Sequence, residues 1–145
     1  MILSKISNFL IASLLLLSFV SCKKESISQI LYAQVNVTLS VITELSKLGI
    51  GSTIYCPTKG STGIKGIILY RSDETDFVAF ERLCTYYPAD TAAIVIENST
   101  GTIATCPKCG SKFELITGSI MQGHAKFSLK QYQTYLQGNF LYITN

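Results

Sequence analysis

Four residues between positions 84 and 109 are of types that bind metal or carry redox chemistry: Cys84, Tyr86, Cys106 and Cys109. In Cys106-Pro107-Lys108-Cys109-Gly110 two thiols stand two residues apart, split by a proline and closed by a glycine. Such a turn aims backbone N–H groups at the two sulfurs, and Gly110 tolerates the left-handed conformation it needs. This is half of a tetrahedral zinc site, and the chain has no second turn of the same kind. Thiol–disulfide exchange would want the first cysteine at a helix N-terminus, where its pKa falls. Here Lys112-Phe113-Glu114-Leu115-Ile116 reads as a strand. His124 is the single histidine of the chain. With one imidazole and scattered acids, neither a Ser-His-Asp hydrolase nor a carboxylate pair can be assembled, and no catalytic residue is assigned.

The chain has 145 residues and five cysteines. A formal net charge of +3 with 14% charged residues is too dilute for a nucleic-acid surface, and no basic stripe is present. Residues 1–21 read as a leader. Lys5 is followed by an apolar run from Ile6 to Val20, too short to span a bilayer comfortably. Ser21 then precedes Cys22, and Lys23-Lys24-Glu25-Ser26 is an abrupt switch to polar residues. This resembles the lipobox of bacterial lipoproteins, with Phe19 where leucine is usual. The resemblance implies cleavage before Cys22 and acylation of that residue, so that several acyl chains, at about 0.8 kcal/mol per buried CH2, hold the protein on a membrane. Lys23, rather than an aspartate, favours the outer membrane. The expected location is therefore exported and lipid-anchored, facing the periplasm or the surface. No arginine pair precedes the apolar run, which points to the general secretory route. Residues 22–33 are expected to be a tether, and residues 34–145 a single domain.

The elements that must position these thiols are short strands. Val35 to Val41 alternates strictly, the mark of a half-buried strand. Thr53 to Cys56 is a short strand, and Thr58 to Gly66 a glycine-rich connection without the order of a phosphate-binding loop. Ile67 to Tyr70 is apolar throughout, as in a fully buried strand, and Phe77 to Leu83 is its partner. Ile94–Glu97 and Thr102–Thr105 flank a turn. Lys112 to Ile116 is another strand. Tyr132–Leu136 and Phe140–Ile143 flank Gln137-Gly138-Asn139. No long amphipathic helix is expected. The fold class is all-β and antiparallel, a sandwich or small barrel.

The cysteines have one more regularity. Cys84-Thr85-Tyr86, then nineteen residues, then Cys106-x2-Cys109 resembles the pattern of the Rieske iron–sulfur family: Cys-x-His, a spacer of this size, and Cys-x2-His. Cys106 to Glu114 matches that family's second loop in type except at Cys109. Gly123-His124-Ala125 stands where the family has Gly-Pro-Ala. The resemblance covers about residues 66–144. It implies an antiparallel Rieske-like sandwich or barrel with a two-loop tip of the cluster-binding type. It further implies that Cys84, Tyr86, Cys106 and Cys109 occupy the four cluster-ligand positions. In the family two cysteines hold one iron and two histidines the other. Here Tyr86 and Cys109 stand in both histidine positions, so a normal Rieske centre is not expected. Three outcomes stay open. An atypical [2Fe-2S] cluster would take three thiolates and the Tyr86 phenolate, which must first lose a proton from a pKa of about 10. Such clusters are usually built before export, at odds with a secretory leader. Zinc could use Cys84, Cys106 and Cys109 with His124, whose loop in this fold packs over the tip. A disulfide could join Cys84 to Cys106 or Cys109, because the two loops lie side by side. The favoured expectation is a binding or structural module with no cofactor, a disulfide-stapled tip and an unidentified protein partner. Cys56 is expected on a strand or as the partner that makes the count even.

Overall fold

The computed structural model describes residues 34–56, 63–86, 92–97 and 101–145. The leader, Cys22, the tether, most of the glycine-rich connection, Tyr87 and the turn at 98–100 lie outside these residues. The described chain forms β1 (Asn36–Ser40), β2 (Thr53–Tyr55), β3 (Ile67–Arg71), β4 (Phe77–Glu81), β5 (Val95–Ile96), β6 (Ile103–Thr105), β7 (Lys112–Glu114), β8 (Ile120–Gln122), β9 (Gln131–Gln137) and β10 (Phe140–Thr144). No helix occurs among the described residues. The strands make a six-stranded sheet, β1-β10-β9-β4-β3-β2, and a four-stranded sheet, β5-β6-β7-β8. Every pairing is antiparallel. The all-β architecture expected from the spacing of short apolar runs is the one observed.

The continuous apolar run of β3 has a physical cause. Alternate residues of a strand face opposite sides. Ile67 and Leu69 enter one core with Val37, Leu39, Leu141 and Ile143. Ile68 enters a second core with Phe80, Phe113, Leu115 and Cys84. β4 divides in the same way, with Phe77 and Ala79 in the first core and Phe80 in the second. β3 and β4 therefore have no solvent face and no polar alternation. β1 has one core only, and its pattern is the expected alternation, with Val37 and Leu39 buried.

Two strands end earlier than their composition suggests. β4 stops at Glu81, and Leu83 makes only an isolated bridge to Ala93. The cause is the Glu81 carboxylate, fully buried, which accepts hydrogen bonds from the N–H groups of Leu83 (2.9 Å), Ile64 (2.7 Å) and Lys65 (3.0 Å) and from the Tyr132 hydroxyl (2.7 Å). Taking the Leu83 N–H out of the ladder turns the chain into the first tip loop. β7 stops at Glu114, where a turn closes through Gly118 N–H to the Glu114 carbonyl (3.0 Å). That turn introduces β8, a three-residue strand too short to be read from sequence. At the far end β9 and β10 are joined through Gly138-Asn139 alone, since Gln137 already pairs with Phe140.

Replacing Glu81 with alanine orphans four donors, of which the Leu83 N–H and the Tyr132 hydroxyl are buried. Denaturant unfolding of Glu81→Ala should show a loss on the order of 3–5 kcal/mol. Tyr132→Phe, which removes one donor and leaves the carboxylate in place, should cost about 1–2 kcal/mol.

Candidate metal centre

The tip is built from three loops. The first leaves β4 and carries Cys84-Thr85-Tyr86. It is tied by Cys84 N–H to the Ala92 carbonyl (2.8 Å) and by the Thr85 hydroxyl to the Phe127 carbonyl (2.6 Å). The second joins β6 to β7. Its turn closes through Gly110 N–H to the Cys106 carbonyl (2.9 Å) and Cys106 N–H to the Ser111 carbonyl (2.8 Å). Gly110 takes the left-handed conformation there, with φ 72°. The third follows β8 and carries Gly123-His124-Ala125.

Ser111 joins the second loop to the third. It is fully buried, and its Oγ accepts hydrogen bonds from the N–H groups of His124 and Ala125, both at 2.9 Å. Gly123, at φ 102°, lets the third loop lie this close, because a Cβ there would collide with the Ser111 backbone. The Cys109 sulfur lies 3.2 Å from the same Oγ. Both lone pairs of the hydroxyl are engaged by backbone N–H groups, so its own proton is available to the sulfur when Cys109 ionises.

The structure brings Cys84, Cys106 and Cys109 together, with their three sulfurs within 4.8 Å of one another. Cys84 and Cys106 are buried at 1% exposure each. Cys84 Sγ stands 3.5 Å from Cys109 Sγ, and the three are unbridged thiols. Tyr86 and His124 line the same pocket, about 390 Å³ in volume, with Ala92 and Lys108. Their rings face each other at 5.5 Å. His124 Nδ1 lies 3.2 Å from the Cys109 carbonyl oxygen, outside the sphere the three sulfurs share. Cys56 is elsewhere, just beyond β2 and packed against the first core, whereas the tip cysteines pack in the second. Ser111 was visible only as part of the second-loop pattern. Glu81 had one signal, a lone acid inside an otherwise apolar strand.

The thiols differ in character. Burial pushes the Cys84 thiol up to about 12, aided by its two neighbouring cysteines. At Cys109 burial also raises the pKa, but hydrogen bonds from the Ser111 side chain and backbone, then from Cys106 and Cys84, outweigh it and leave the thiol below its ordinary value.

A two-histidine cluster does not fit these residues. The donor set holds no imidazole at position 86 or 109. The three sulfurs lie within 4.8 Å of one another. At about 2.3 Å per metal–sulfur bond, the edge of one tetrahedron is ~3.8 Å.

The asymmetry of the thiols is open to measurement. Brief alkylation of the reduced, metal-free protein at neutral pH should label Cys109 and spare Cys84 and Cys106 until the chain is unfolded. Peptide mass spectrometry reads the order, and equal labelling of Cys84 and Cys109 in the folded protein would refute it. Gly123→Ala, which drives the third loop off Ser111, should lower stability by roughly 2–3 kcal/mol in denaturant unfolding.

No family model and no curated protein matches the chain. Solved structures do. One is a chain of the complex of reduced oxygenase and oxidised ferredoxin in carbazole 1,9a-dioxygenase, at 19% identity and a TM-score of 0.51, covering 80% of this chain and 94% of that one. Another is the ferredoxin of Sphingomonas yanoikuyae B1, at 18% identity and a TM-score of 0.51, covering 77% of this chain and 99% of that one. At this identity the likeness is one of fold, and it agrees with the loop pattern of Cys84, Cys106 and Cys109: the chain has the Rieske-like fold expected from its sequence.

Proposed function

We propose that this protein is a membrane-anchored lipoprotein whose Rieske-like domain serves as a binding or structural module, its tip held together by thiol chemistry in place of a two-histidine cluster. The observation that carries the reading is the 3.5 Å separation of the Cys84 and Cys109 sulfurs, one from each loop. An approach of roughly 1.5 Å would join them at bonding distance. The bridge would span a sequence separation of 25 and add on the order of 3 kcal/mol by constraining the unfolded chain. Oxidising conditions outside the cytoplasm favour it. The anchor rests on Cys22 and the sharp change of composition after it. The neighbouring ferredoxin structure, a complex with an oxygenase, supports a protein partner as the ligand of such a domain.

A second reading, an electron carrier with an atypical [2Fe-2S] cluster, draws on the likeness to ferredoxins and on Cys84 and Cys106 in the two cysteine positions. Cys109 and Tyr86 would complete that ligand set. One sample separates the two. Non-reducing intact mass of the purified protein should be two protons light, and Cys109→Ser should restore the missing mass. Iron and acid-labile sulfide at two per chain would overturn the module and establish the carrier. Membrane fractionation should find the wild type in the membrane and Cys22→Ser released from it.

A further inference from the structure

A tip without the two histidines can still hold one ion. We propose that, with its thiols reduced, the tip is a mononuclear site for a soft divalent cation of the zinc type, ligated by Cys84, Cys106, Cys109 and Nε2 of His124. The proposal rests on the reading that the two-histidine cluster has been replaced.

Three observations carry it. First, the sulfurs lie within 4.8 Å of one another, and the Cys84–Cys109 pair at 3.5 Å needs only a slight opening to reach the ~3.8 Å edge of a tetrahedral thiolate site. Second, the geometry of His124 suits a ligand. Its loop is fixed by two N–H bonds to Ser111, and its Nδ1 faces the Cys109 carbonyl at 3.2 Å. An Nδ1–H donated to that carbonyl leaves the lone pair on Nε2, the tautomer in which metal-binding histidines are commonly held. Neither ring nitrogen belongs to the three-sulfur group as it stands, so ligation requires the side chain to turn within the shared pocket and bring Nε2 to the fourth position. Third, Cys109 has an outer partner. The Ser111 hydroxyl at 3.2 Å can donate to the thiolate, as outer-shell groups of metal sites do. Three thiolates and an imidazole are a donor set for a closed, four-coordinate structural zinc site. Tyr86 takes no part in it.

The ion and the Cys84–Cys109 bridge exclude each other, so binding is measured on reduced protein. The full chain, purified in detergent, is reduced, stripped with a chelator and titrated with Co²⁺, then Zn²⁺. One Co²⁺ per chain is expected, with thiolate charge-transfer and tetrahedral d–d absorption, displaced stoichiometrically by Zn²⁺. Cys109→Ser should abolish this signature. His124→Ala should keep one ion but weaken it by more than about tenfold, the scale on which even outer-shell partners act. Tyr86→Phe should bind as the wild type does. His124 is the only histidine, so its ring nitrogens can be followed by NMR without assignment and without a variant. A large Nε2 shift on adding Zn²⁺ supports ligation, and an unmoved ring overturns the role of His124. Reduced protein that takes up neither Co²⁺ nor Zn²⁺, yet bridges Cys84 to Cys109 on oxidation, overturns the metal site and leaves the stapled module standing. Two irons and two sulfides per chain overturn both.

Discussion

The Glu81 carboxylate is the constraint on which the tip and the central sheet both depend. It is fully buried, a position that is costly unless every acceptor is used. Its donors come from three separate places: the turn at Ile64 and Lys65, the root of the first tip loop at Leu83, and Tyr132 on β9. One side chain therefore fixes where the glycine-rich connection ends, where β4 stops pairing, and how β9 lies against it. Gly63, at φ 79°, is part of this arrangement, because a Cβ there would meet the carboxylate and, at 2.7 Å, the Tyr132 hydroxyl. The position of Cys84 follows three residues later.

Ser111 plays the corresponding part within the tip. It is a single buried hydroxyl with two backbone donors on one side and a sulfur on the other. Its partners belong to the third loop and to the second, and β7 begins at the next residue. The tip thus has a polar frame that does not depend on any metal. Tyr86 and Cys109 therefore sit on loops whose places are fixed by hydrogen bonds of other residues.

The strands were legible where burial leaves a period. β1 alternates because one face is wet, and β3 is apolar throughout because it divides its residues between two cores. The tip cysteines were legible because their spacing is that of two facing loops. The hairpin at Gly138 was legible because a tight turn constrains composition. What sequence did not reveal is where hydrogen bonds end a strand. The acid in Phe77-Val78-Ala79-Phe80-Glu81 was a visible anomaly, but its donors lie 17 residues before it, two after it and 51 after it. No local pattern encodes that convergence. β8 was missed for a simpler reason, since Ile120-Met121-Gln122 neither alternates nor buries a residue. His124 was legible as a residue type, while its placement beside the Cys109 carbonyl depends on Gly123 and Ser111 meeting across the two loops.

The short side chain at position 109 also explains why the three sulfurs gather. A thiol sulfur lies only two bonds from its Cα. The donor atom of Cys109 therefore stays close to its own loop. There it finds the Ser111 hydroxyl at 3.2 Å and the Cys84 sulfur at 3.5 Å. The outer part of the tip is left to Tyr86 and His124, whose rings tilt toward each other at 47° across the pocket. The short side chain of Cys109 thus leaves three sulfurs within 4.8 Å of one another, the spacing on which the proposed bridge and the proposed single-ion site both rest.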